Sequence, residues 1–136
     1  MSQHKKYTIE VTEEQLNLIS NACELSSRLR SGQFDNLRDI LLDTIRTIRG
    51  DARTNFDWNH FNFETDYHFK GLKDLVDLDS NASYGIRESS ETAKELYEIY
   101  YLIKHYFAER SSVYVSKLLV MTDKPKIKIS EIEYEK

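Results

Sequence analysis

Residues 12–50 read TEEQLNLISNACELSSRLRSGQFDNLRDILLDTIRTIRG, and the punctuation of this stretch sets the helical part of the fold. Thr12-Glu13-Glu14-Gln15 has the form of a capping box. The threonine hydroxyl can accept from the third helical amide while Gln15 reaches back to the cap, so a helix is predicted to begin at Glu13. At about 100° per residue, Leu18, Ile19, Ala22, Leu25, Ser26 and Leu29 form its buried face, and Gly32 supplies a C-terminal stop. A second helix is predicted from about Asp35 to Arg49, with Leu37, Ile40, Leu41, Thr44, Ile45 and Ile48 in one stripe and Gly50 ending it. The short link at 32–34 makes the two an antiparallel hairpin.

Working outward, a third helix is predicted from Ser89 or Ser90 to about Arg110. Ala93, Leu96, Tyr97, Ile99, Tyr100, Leu102, Ile103, Tyr106 and Phe107 leave it only a narrow polar arc of Lys94, Glu98, His105 and Glu109. So wide an apolar surface needs more than one covering element, which makes this a central helix, a subunit interface or both. Residues 6–11 alternate, with Tyr7, Ile9 and Val11 opposite Lys6, Thr8 and Glu10, the period of a half-buried strand. Residues 113–121 and 126–132 read as two more strands joined by Thr122-Asp123-Lys124-Pro125. Between the helices lies an aromatic segment, residues 56–69, whose strict alternation from Phe61 to Phe69 points to extended chain. The expected fold class is α+β: an N-terminal antiparallel helix hairpin, a third long amphipathic helix and a small antiparallel sheet. All of it forms a single domain, 1–136.

Composition narrows the function. A chain of 136 residues with 40% hydrophobic content suffices for one domain with a core. Its net charge of −4 gives long nucleic acid no global electrostatic reason to bind. One cysteine, Cys23, cannot form an intrachain disulfide and fits a reducing compartment. Without a leader-like or membrane-spanning apolar run, the expectation is a cytoplasmic protein that does not engage membranes.

The cations are distributed unevenly. Arg28, Arg30, Arg38, Arg46, Arg49 and Arg53 fall in one window that holds no lysine. Guanidinium pairs with phosphate or carboxylate oxygens and stacks on rings, which an ammonium does less well. Arg28 shares a helix face with Glu24, Ser27 and Ser31. That set suits a phosphate, although in an ordinary helix a plain Glu24–Arg28 surface pair with solvated serines is the favoured account. Arg38, Arg46 and Arg49 flank a Leu42 expected to be exposed, either as an assembly surface or pocket wall or as partners of Asp35, Asp39 and Asp43. The rings at 56–69 could hold a base, though as a class they suit a satellite hydrophobic cluster. His60, His68, Asp57, Glu64 and Asp66 match no zinc or calcium spacing, so no metal is expected. In Asn81-Ala82-Ser83-Tyr84-Gly85-Ile86-Arg87 an amide, a hydroxyl, a ring and a guanidinium meet beside a permissive glycine, a candidate ligand loop or a plain helix-capping turn. Lys104 and His105 sit among tyrosines. No phosphate-binding glycine pattern, nucleophile elbow or Cys–His set is present, so the expectation is binding without catalysis and without a cofactor.

The pair EVTEEQLNLISNACELSSRLRSGQF and NASYGIRESSETAKELYEIYYLIKH resembles a family of small phage and prophage proteins, the Thoeris anti-defence sponges of the first-described Tad type. The likeness covers about half of the chain. It implies a homo-oligomer, made in the host cytoplasm, that binds a cyclic ADP-ribose-type signal without cleaving it and silences a defence effector. It further implies that cyclic oligonucleotides of the CBASS kind occupy a separate pocket. Carried onto this chain, Arg28, Arg30 and Ser31 would suit phosphates of a cyclic nucleotide. Phe69, Asn81, Ser83, Tyr84, Arg87 and Lys104 would suit a nucleoside pocket. The third helix departs from the family pattern, with Lys104 and His105 where an arginine-rich face is expected. The competing class is a protein-interaction module that inhibits a host protein through its Arg, Leu and Tyr surface.

Overall fold

The computed structural model describes residues 5–50, 56–79, 85–110 and 120–132. Among them are four α-helices: α1 Glu13–Arg30, α2 Leu37–Arg49, α3 Trp58–Leu75 and α4 Glu91–Arg110. Short 3-10 turns at Phe34–Asn36 and Ile86–Glu88 lead into α2 and α4. The start of α1 follows its sequence signal. Thr12 Oγ1 accepts from the Gln15 amide at 3.1 Å, and Gln15 Oε1 accepts from the Thr12 amide at 2.9 Å. Gly32 and Gly50 end the first two helices with φ of 84° and 66°, backbone that a side chain would strain.

The expected α+β class is corrected: the described residues are helical and contain no strand or sheet. In the N-terminal segment Tyr7 and Ile9 are 84% and 72% exposed, and among the described residues no strand pairs with it. Most of the stretch expected as a strand at 113–121 lies outside the described residues. Residues 120–132 run without ladder bonds and are tied down by side chains instead. The aromatic alternation of 61–69 belongs to α3. A helix turns Phe61, Thr65 and Phe69 inward at four-residue spacing and leaves Phe63 and Tyr67 outward.

The antiparallel hairpin of the first two helices is corrected as well. α2 does not lie along α1, whose packing partner is α4. The α1–α4 contact is antiparallel, since Ser27 Oγ donates to the Ala93 carbonyl at 2.7 Å and Ser20 Oγ donates to that of Tyr100 at 3.3 Å. Ser20 and Ser27 on one helix and Ala93 and Tyr100 on the other stand seven residues apart, the repeat of a close helix seam. Small side chains let the backbones approach, and Ala93, Ser27 and Ile103 are 0%, 0% and 1% exposed. The face of α1 turned inward is therefore Ser20, Ser27 and their neighbours. Leu18, Ile19 and Ala22, expected inside, face outward.

The other flank of α4 lies under residues 120–127, where Val120, Pro125 and Ile127 line a small cleft together with Ile99 and Leu102. Glu98, expected on the solvated arc, is 5% exposed and fastens this segment. Its carboxylate accepts from the Met121 amide, from the Thr122 amide and hydroxyl, both at 2.7 Å, and from Lys126 Nζ. Two coverings on opposite flanks thus account for the width of the α4 apolar surface.

Candidate functional site

The seam between α1 and α4 has a polar margin near the end of α1. Arg28, on its last turns, donates to Gln33 Oε1 at 3.1 Å and to Glu24 Oε2 at 3.3 Å. Glu24 also faces the Tyr100 hydroxyl from across the seam. That hydroxyl accepts from Lys104 Nζ at 3.1 Å, and the ammonium lies 5.5 Å from the Tyr100 ring centroid. Tyr97 meets the same ring edge-on at 5.5 Å. Two cations distant in sequence are thereby joined through one carboxylate and one phenol.

Burial pushes the Tyr100 hydroxyl above its ordinary pKa, with Glu24 adding to the effect and Lys104 opposing it. The hydrogen bond to Tyr100 raises Lys104, aided by Glu24 and Tyr97, so the ammonium stays charged throughout the neutral range. The cluster can hold an anion beside a ring. Burial keeps the phenol protonated in the neutral range, so Tyr100 does not serve as a base there. Burial likewise raises the thiol of Cys23, which lowers its thiolate fraction in the neutral range.

The other predicted positions fall in different places. Arg30 is exposed, with Nε 3.5 Å from Ser26 Oγ. Ser31 is 1% exposed and its hydroxyl donates to the Ser27 carbonyl at 3.1 Å, so it closes the helix end instead of facing solvent. Phe69 is buried on α3 with the Arg38 guanidinium carbon 5.7 Å from its ring centroid. Arg87 is exposed on the turn before α4. Asn81, Ser83 and Tyr84 lie outside the described residues. The plain Glu24–Arg28 pair is present, and Arg38 takes Asp66 of α3 instead of any aspartate on its own helix. Leu42, expected exposed, is half-buried.

Sequence reasoning missed Glu24 and Tyr100 as the bridge between Arg28 and Lys104, and Gln33 as the second acceptor for Arg28. A half-hidden glutamate one turn before an arginine was a usable signal only once the inward face of α1 was known. Among the described residues no three His, Cys, Asp or Glu side chains are grouped so as to hold a metal ion. Among them no helix is long and apolar enough to cross a membrane.

No family model, curated protein or solved structure is significantly similar to the chain. The functional reading therefore rests on the seam and on the motifs in the sequence.

Proposed function

We propose that the protein is a phage anti-defence sponge that binds a cyclic nucleotide immune signal, of the cyclic ADP-ribose type and extending to cyclic oligonucleotides, and holds it without cleavage. The observation that carries this reading is the convergence of Arg28 and Lys104 on Glu24 and Tyr100. Guanidinium and ammonium on opposite helices suit phosphates, and the Tyr97–Tyr100 pair offers a ring for a base. The resemblance of the SRLRSGQ and NASYGIR segments to the Tad-type sponges supports the same reading. The alternative is a protein-interaction module, for which α2 offers exposed Ile40, Leu41 and Ile48 although Leu42 is half-buried.

Sequestration makes a chemical prediction. Cyclic nucleotide bound by the chain is expected to come back intact after heat denaturation, with its mass unchanged by mass spectrometry. Recovery of a linear or hydrolysed product would replace the sponge with an enzyme.

Assembly into a homo-oligomer belongs to the proposal. Leu18 at 62% and Ile48 at 77% exposure are typical of the apolar side chains that a second copy would cover. Leu18→Glu is expected to leave helix content unchanged and to reduce the mass measured by sedimentation. An unchanged mass, or a wild-type chain that sediments as a monomer, would remove this part of the reading.

A further inference from the structure

α2 is an amphipathic helix whose apolar stripe stays open among the described residues. Leu37, Ile40, Leu41, Thr44 and Ile48 follow the spacing of one helix face, and Ile40 and Ile48 are 44% and 77% exposed. No residue of α2 is buried, and its backbone scarcely approaches any element except the Phe34–Asn36 turn that leads into it. The flank toward α3 is a different one, carrying Arg38, which reaches Asp66, and Ile45, which lines a cleft with Phe61 and Thr65. A helix of 13 residues is marginal in water without a packed face, so the stripe calls for a cover.

Two observations favour a second copy of this chain as the cover. Charge is segregated along the helix: Asp35, Asp39 and Asp43 precede Thr44, Arg46 and Arg49 follow it, and Arg38 is engaged by Asp66. The helix dipole accounts for charges in the first and last turns but not for Asp43. Laid antiparallel, two copies bring the acidic half of each toward the basic half of the other, whereas a parallel pair sets like against like. The hydroxyls at the middle of the helix are also satisfied within it. Thr44 Oγ1 donates to the Ile40 carbonyl at 2.9 Å and Thr47 Oγ1 to that of Asp43 at 3.0 Å, so covering the stripe leaves neither without a partner. We infer that α2 packs antiparallel on α2 of a second copy about a two-fold axis near Thr44, with Ile40 of each copy against Ile48 of the other. The inference deepens the assembly part of the proposed function by giving it a face, and it stands apart from the nucleotide reading.

The test is sedimentation of the full chain over a range of concentrations, with cross-linking to read orientation. Ile48→Glu is expected to weaken association at least about tenfold while helix content stays at the wild-type level, since the side chain is exposed. In a Cys23→Ser background, Ile40→Cys mixed with Ile48→Cys should give more dimer with a short bismaleimide than either variant alone. More dimer from the unmixed variants would mean a parallel pair and overturn the inference. An assembly unchanged by Ile48→Glu but dissociated by Leu18→Glu would keep the oligomer and overturn this face of it. A wild-type chain that stays monomeric would overturn both, and the stripe would pass to a partner of different sequence or to another segment of the chain.

Discussion

Glu98→Ala is expected to destabilise the protein by about 3 kcal/mol and to release residues 120–127 from α4. The carboxylate is 5% exposed and receives two backbone amides, one hydroxyl and one ammonium. Hydrogen bonds to a charged group contribute about 1.5–3 kcal/mol each, and donors left buried without an acceptor add their desolvation cost. Water can reach part of the vacated space, so the loss falls well short of the sum. For a chain of this length the melting temperature should drop by roughly 10 °C. Lys126→Met should cost less than Glu98→Ala, about 1–2 kcal/mol, because the lysine side chain is one third exposed while its partner is buried. A Glu98→Ala protein as stable as wild type would show that the clasp contributes little.

The same carboxylate sets a pH dependence. Burial acts to raise its pKa, but the hydrogen bonds from Lys126, Met121 and Thr122 outweigh burial and hold it below the ordinary value of 4.5. A carboxyl with a lowered folded pKa gives stability that is fully present above the unfolded value. That contribution is lost as pH falls below about 4.5 and through the folded pKa. Amide exchange at Met121 and Thr122 should be slow at neutral pH and accelerate, beyond the intrinsic pH effect, in this acid window. Glu98→Ala should show fast exchange at every pH.

Ile103→Ala is expected to cost about 3 kcal/mol, measured as a lower urea midpoint with an unchanged slope. Ile103 is 1% exposed on α4, so truncating it leaves a gap that its surroundings fill only in part. Ile103→Leu keeps the volume and should cost under about 1.5 kcal/mol. Ser27→Ala should stay within about 1 kcal/mol, since the change removes one hydroxyl donor and leaves the Ala93 carbonyl with its helical partner. A larger loss from Ser27→Ala than from Ile103→Ala would mean that the hydroxyls, and not the packing, hold the seam.

Local signals in the sequence were legible where the physics is local. The capping box at Thr12, the stop at Gly50 and the start of α4 after Ser90, whose hydroxyl accepts from the Ala93 amide at 3.2 Å, all follow from side chains within a few residues of the helix end. The inward face of α1 was not legible. Apolar periodicity selects Leu18 and Ile19, whereas the seam selects Ser20 and Ser27, because close approach to Ala93 favours small side chains. α3 was hidden for a related reason: aromatics at every second position mimic a strand until a helix separates Phe61 and Phe69 from Phe63 and Tyr67. The polar bridge at the seam depended on that unseen face, so Arg28 and Lys104 were found as residues but not as neighbours.

The central claim is that the Arg28–Lys104 margin binds a cyclic nucleotide. Isothermal titration of the full chain with cyclic ADP-ribose isomers and with cyclic di- and trinucleotides tests it most directly. At least one ligand is expected to bind saturably, with affinity reduced about tenfold or more in Arg28→Ala and only partly restored in Arg28→Lys, which keeps the charge but loses the fork. A folded wild-type chain that binds none of these ligands, or a ligand held equally well by Arg28→Ala, would contradict it.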